Sequence, residues 1–107
     1  MERSVEYFEM HAAVCKTFGH PKRLMIISVL VDGELGVNEI SKKTGIAASN
    51  LSQHLHILKD KGILQARRNG TRIFYSLAHP NIRKALELMS TFLDQKVIDE
   101  QKMLRKK

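Results

Sequence analysis

The sequence predicts a mainly α-helical fold carrying one small β-hairpin, laid out as a helix-turn-helix with a wing. Three observations predict it. Residues 38–62, NEISKKTGIAASNLSQHLHILKDKG, hold two helical patterns separated by a tight break at Gly45. The second pattern is apolar on one side and hydrogen-bonding on the other. A basic hairpin follows it directly. A polar helix face followed by a positive hairpin points to a DNA-reading surface.

Taken in order, residues 4–18 predict a first helix, with Val5, Phe8, Ala12 and Cys15 at spacings of three and four on one face. Tyr7, Val14 and Phe18 fall on a neighbouring face, so this helix contacts two things. Gly19-His20-Pro21 breaks it, and Pro21 suits the first turn of the next helix. The segment KRLMIISVLVDG is strongly apolar and is expected to be the central core helix through Leu24, Ile27, Leu30 and Val31, ending at Asp32-Gly33. Leu35 and Val37 suggest a short extended segment. Asn38 suits the N-cap of a third helix, EISKKT, whose core contact is Ile40. The fourth helix spans about Ala48 to Lys61, with Leu51, Leu55 and Leu58 as its buried stripe and Gly62 as its stop.

The hydrophobic period then changes. ILQARR and TRIFYSL alternate loosely around Asn69-Gly70, and Asn-Gly between such runs predicts a hairpin, expected as a type I′ turn with positive φ at both positions. Ile63, Ile73 and Tyr75 are expected to face the core. His79-Pro80 opens a last helix running to about residue 102. Its stripe of Ile82, Leu86, Met89, Phe92 or Leu93, and Val97 would extend for about 33 Å. So small a core cannot cover that length. A homodimer through the first helix and the last one (about 80–102) is therefore expected, with Val5, Phe8, Ala12, Cys15, Leu86, Met89, Phe92 and Leu93 in the interface.

Length and composition bound the function. The 107 residues suffice for a single domain, 1–107, and 43% apolar content is ordinary for a globular one. Lys and Arg number 18 against 11 Asp and Glu, a net +7 that favours a polyanionic partner. A single cysteine allows no intrachain disulfide and suits the reducing cytoplasm. MERSVEYFEM lacks the apolar run of a signal peptide, and no stretch is long enough to suggest a membrane partner.

With its leucines inward, the fourth helix turns Ser49, Asn50, Ser52, Gln53 and His56 outward. Ser and Asn can meet phosphates or base edges, and Gln can pair bidentately with adenine. Between Lys59 and Arg72 there are five basic residues and one acidic one. Arg67, Arg68 and Arg72, with Asn69 and Thr71 at the tip, suit a wing lying along phosphates or probing the minor groove. A charged edge strand that discourages aggregation is the blander reading of the same residues.

On these residues the chain resembles the ArsR/SmtB family of dimeric winged helix-turn-helix repressors. The likeness is carried by GHPKRLMIISVL, ELGVNEI, ASNLSQHLHILKDKGIL and RRNGTRIFYSL, and it covers about residues 10–90. It implies the order α-α-α-α-β-β-α, dimer contacts through the terminal helices, double-stranded DNA with an inverted-repeat operator as partner, and base reading by Ser49, Asn50, Ser52, Gln53 and His56. His54, in the family's Ser-x-His-Leu pattern, is expected to pack or position. The family's thiolate pair in the third helix would fall on Gly36 and Asn38, and neither is a soft-metal ligand. Its Asp/His/Glu set across the last helices is also missing, apart from His79 at the helix start. No cofactor is required for DNA reading. His11 and Cys15, four apart on the first helix, remain as candidates for a metal ion, with two copies from a dimer able to complete a four-ligand site, and Cys15 alone for a redox effector; a buried thiol packed against Phe18 or its dimer mate is the competing reading.

The expected function is a sequence-specific DNA-binding transcriptional regulator, a dimeric repressor released by an effector. The alternatives are a nonspecific nucleoid-type binder, a constitutive repressor without a ligand, and a protein-interaction module. An enzyme is excluded by the lack of a glycine-rich phosphate loop, a paired-carboxylate motif or a catalytic Cys-His frame.

Overall fold

The computed structural model describes residues 2–105. The elements are α1 (Val5–Phe18), α2 (Pro21–Val29), β1 (Leu35–Gly36), α3 (Val37–Thr44), α4 (Ala48–Asp60), β2 (Leu64–Asn69), β3 (Arg72–Leu77) and α5 (Pro80–Arg105). The strands form one antiparallel sheet in the order β1-β3-β2. Ile26 and Ile27 of α2, Ile40 of α3, and Leu51, Leu55 and Leu58 of α4 converge on the core, which Ile46 and Ile63 close from the connecting segments and Leu64 from the start of β2.

Local chemistry fixes the helix ends. Ser4 Oγ accepts from the Tyr7 N–H at 3.1 Å at the start of α1. His20 Nδ1 accepts from the Lys22 N–H at 3.2 Å and caps α2, with Pro21 in its first turn. His79 Nδ1 does the same for the Asn81 N–H at 3.0 Å as α5 begins.

The turn between α3 and α4 is tied three times. Gly45 takes φ +76°, the left-handed conformation that ends α3. Thr44 Oγ1 donates to the Ile40 carbonyl and accepts from the Ile46 N–H, and Ser41 Oγ donates to the Ile46 carbonyl at 2.6 Å. These bonds fix the angle at which α4 leaves α3. At the far end of α4, the Ile63 N–H reaches the Leu58 carbonyl and the Gly62 N–H reaches that of Lys59, with Gly62 at φ +76°.

Four expectations are corrected. Asn38 is not an N-cap: α3 begins at Val37 with Gly36 as its cap, and the Glu39 carboxylate accepts from the Gly36 N–H at 3.2 Å. The extended segment is Leu35–Gly36, and it pairs with β3 as a third strand, which leaves Val37 to the helix. In α2 the buried residues are Ile26 and Ile27, with the expected Leu30 buried as the cap just past the helix, while Leu24 is 37% exposed and Val31 is half-buried beyond the end. The hairpin loop is Gly70-Thr71, because Asn69 still pairs with Arg72; only Gly70 has positive φ, +65°, as in a type II′ turn and not the expected I′.

Helix α5 reaches Arg105, past the expected residue 102, and buries no residue fully. Ile82 and Leu86 lean on the core, and the rest of the stripe faces outward. Cys15 is exposed within the chain, so only a second copy could bury its thiol.

Candidate nucleic-acid interface

Helix α4 is held by Leu51, Leu55 and Leu58, each almost fully buried. That anchorage turns Ser49, Asn50, Ser52, Gln53 and His56 outward, and all five are exposed. Among the described residues none of their side chains bonds within the chain. Ser52, Gln53 and His56 border one shallow hollow on this face. The cap residue of α4 is Ala47, which has no side-chain acceptor, so the first N–H groups of the helix remain open to an anion.

His54 stands apart from this face. Its ring is half-buried, Arg23 Nε approaches its Nδ1 at 3.4 Å, and the His20 ring centroid is 4.8 Å away. Arg23 also donates to the Thr17 carbonyl. His54 therefore ties α4 to the start of α2 and the end of α1. Burial, and then the positive charges of His20, Arg23 and Lys22, hold its imidazole below the usual histidine range. An uncharged ring suits a joint among so many cations.

The structure separates the wing arginines. The register pairs Arg67 with Phe74 and Arg68 with Ile73, so neighbouring arginines emerge on opposite faces of the hairpin. Arg67 is clamped by Glu34, Nε to Oε2 at 3.0 Å and Nη2 to Oε1 at 2.6 Å, and lies 4.9 Å over the Phe74 ring. Arg72 stacks on the same ring at 4.8 Å and approaches Glu39 at 3.6 Å. The Arg67 hydrogen bond, reinforced by its charge, holds the Glu34 carboxyl below the usual carboxylate range. Among the described residues Arg68 has no ionic partner. Asn69, Gly70 and Thr71 form the exposed tip, and Thr71 and Arg72 share a hollow with Val37 and Asn38 at the start of α3.

Sequence reasoning did not single out Glu34 and Glu39. Their only signal was an acidic residue on each side of the LGVN segment. Gly36 between them is buried, and a Cβ there would meet Arg72 Nη2 at 3.1 Å and Glu39 Oε1 at 3.3 Å, so a larger residue would push both side-chain ends aside by a few tenths of an ångström.

On the opposite side, His11 Nδ1 and Cys15 Sγ lie 3.7 Å apart on α1. Among the described residues no group of three or more ligating side chains gathers. Of the residues expected in the dimer interface, Val5, Phe8, Ala12, Cys15, Met89, Phe92 and Leu93 are exposed, and Leu86 is half-buried. No helix among the described residues is long and apolar enough to cross a membrane.

A tri-helical core that aims an uncommitted polar helix outward beside a basic hairpin defines a winged helix-turn-helix DNA-binding transcriptional regulator, and not an enzyme. A family model described as bacterial regulatory protein, arsR family, matches residues 20–66. The biofilm growth-associated repressor of Xylella fastidiosa is 39% identical over 80 residues, 75% of this chain and 70% of that protein. The crystal structure of Rv0081 from Mycobacterium tuberculosis superposes with a TM-score of 0.83 at 34% identity, over 91% of this chain and 98% of that one. The homodimeric winged helix-turn-helix DNA-binding domain Mb0332 of Mycobacterium bovis gives a TM-score of 0.78 at 30% identity, over 89% of this chain and 88% of that one. The chain belongs to the ArsR family of transcriptional regulators.

Proposed function

We propose that the protein is a homodimeric repressor of the bacterial cytoplasm that reads an inverted-repeat operator and is released by an effector. The carrying observation is the pairing of two surfaces. The outward face of α4 holds five polar side chains with no partner among the described residues. The faces of α1 and α5 leave large apolar groups in the open, with Phe8 59% and Phe92 67% exposed. Isolated faces of that kind mark a contact surface. Joining two chains there would present two copies of α4, as half-sites about one helical turn apart require.

Relatives support the assignment: the Xylella fastidiosa protein is named a repressor, and the Mycobacterium bovis domain is homodimeric. Gln53, Ser49, Asn50, Ser52 and His56 read bases in this scheme. Arg68, Asn69 and Thr71 meet the backbone, while Arg67 and Arg72 set the wing. DNA binding itself needs no cofactor.

Fluorescence anisotropy on a labelled duplex from just upstream of the protein's own gene tests this, with sedimentation for the mass of the complex. Two chains per operator are expected, with affinity at least about a thousandfold above random DNA. Equal affinity for both duplexes would make the protein a nonspecific binder. One chain per duplex would remove the dimer.

A further inference from the structure

The chain holds a cavity that DNA reading does not use. It lies where α1, α2 and α5 meet, has a volume of about 430 Å³, and is lined by His11, Cys15, Phe18, Leu24, Leu86 and Met89 among others. That volume falls within the range of small-molecule sites, roughly 300–1,000 Å³. Its walls are almost entirely hydrocarbon and aromatic. A second hollow of about 340 Å³ between α2 and α5 shares Leu24, Leu86 and Met89, so the space continues along α5. The polar corner of the first cavity is the pair of His11 Nδ1 and Cys15 Sγ, 3.7 Å apart, while Ser28 and Ser90 line the second hollow.

One chain supplies two donors, so a closed four-coordinate zinc site would need the same pair from a second copy, and the apolar walls around the pair offer an ion nothing further. An imidazole and a thiol at the rim of an apolar cavity instead suit a single hydroxyl or carbonyl on a hydrophobic body. A charged ligand would have to shed its water with no counter-charge to meet it. We propose that this cavity binds a small uncharged aromatic molecule bearing one hydroxyl or carbonyl, and that its occupancy weakens operator binding. The regulatory half rests on the repressor reading above; the binding half does not.

The coupling route is geometric. Helices α1 and α5 carry the apolar faces assigned to the dimer. Helix α2 meets α4 through the His20, Arg23 and His54 joint. A ligand wedged among α1, α2 and α5 alters the angle between the dimer faces and the reading helix. A second copy seated on Phe8 and Phe92 would roof the cavity, which places the ligand at the seam that sets the half-site spacing.

The test uses 1-naphthol as probe on the full chain, by titration calorimetry for binding and by operator anisotropy for release. Saturable binding of one molecule per chain is expected, with operator Kd raised at least about fivefold, the lower end of ordinary coupling. Ala85→Phe fills the cavity from α5 and should weaken naphthol at least tenfold, with helical content unchanged by circular dichroism. Phe18→Trp gives a second reading, because the sequence has no tryptophan and the new emission reports on the cavity alone. Naphthol should quench it saturably. Absence of saturable binding to the wild type and to Phe18→Trp, or undiminished binding to a folded Ala85→Phe, would overturn the cavity assignment. Saturable binding with unchanged operator affinity would overturn its regulatory half. Loss of operator binding by the unliganded protein, with naphthol still bound, would count against the repressor reading and leave the cavity assigned.

Discussion

Arg67 and Glu34 are joined by two parallel hydrogen bonds, 3.0 and 2.6 Å, across a sequence separation of 33 residues. The pair links the wing to the residue that precedes β1. Phe74 beneath the guanidinium and Arg72 on the same ring complete a small platform on one face of the hairpin. The wing is thus held in place by groups that sequence reading had assigned to DNA. Arg68, on the other face, has no ionic partner among the described residues, so in the proposed complex it is the wing arginine left to meet a phosphate.

Arg68→Ala should therefore weaken binding to all duplexes by a similar factor and reduce the slope of log Kd against log salt by about 1. Glu34→Gln should act in the opposite sense. It releases Arg67, which then competes for phosphate, so nonspecific affinity and the salt slope should both rise. Anisotropy titrations at several salt concentrations read both effects. If Arg67→Ala alone matched the loss seen with Arg68→Ala, with no change in wing order by hydrogen exchange, the clamp would not be the role of Arg67.

Gln53 sits on the exposed face of α4 with no side-chain partner among the described residues. Replacing it with alanine removes a bidentate donor and acceptor and leaves the buried leucines untouched. The expected cost is about 1–3 kcal/mol at the cognate operator and little on random DNA. An equal loss on both would assign Gln53 to the backbone instead of the bases.

His54 supplies a pH dependence whose sign is fixed by its surroundings. Burial and the neighbouring cations lower its folded pKa. The unfolded chain therefore binds the proton first as pH falls below about 6.5. Stability is retained above that value and declines as pH drops toward the lowered folded value. Thermal melts between pH 7.5 and 5 should show this decline, and His54→Gln should flatten it. An unchanged profile in the variant would move the titration to another group.

The core of α4 and its stop at Gly62 were legible because they are local. Leu51, Leu55 and Leu58 follow the helical period, and Gly62 stands where a stop is needed. Helix α2 was legible only in part. It is apolar all round, so periodicity could not choose between Leu24 and Ile26 as the core side. The structure resolves this by packing Ile26 against α3 and α4 and leaving Leu24 to the cavity beside α1 and α5. The hairpin turn moved by one residue because strand register decides it, and register depends on cross-strand pairs such as Ala66 with Tyr75. The Glu34 clamp had no local signature at all. An ion pair between residues so far apart in sequence exists only once β1 has joined β3.

Leu51→Ala tests how much the reading helix depends on its anchorage. Leu51 is fully buried at the centre of the core. The loss should be about 2–5 kcal/mol, set by how far the surrounding isoleucines relax. Urea melts should show a lower midpoint with a similar slope. A loss below about 1 kcal/mol would mean that α4 is held mainly by its turn to α3.

Phe92 carries the last prediction. It projects from α5 at 67% exposure, so in the single chain its replacement by glutamate removes no core contact. Helical content should stay unchanged by circular dichroism. In a dimer the same change buries a charge against the apolar faces of the partner, a cost that only an ionic partner could offset. Sedimentation should then report a particle of half the mass. Operator affinity should fall at least about a hundredfold, because two linked half-site contacts become one. Phe8→Glu on α1 should repeat both effects. A full-mass particle in both variants would place the contact between copies elsewhere on the molecule.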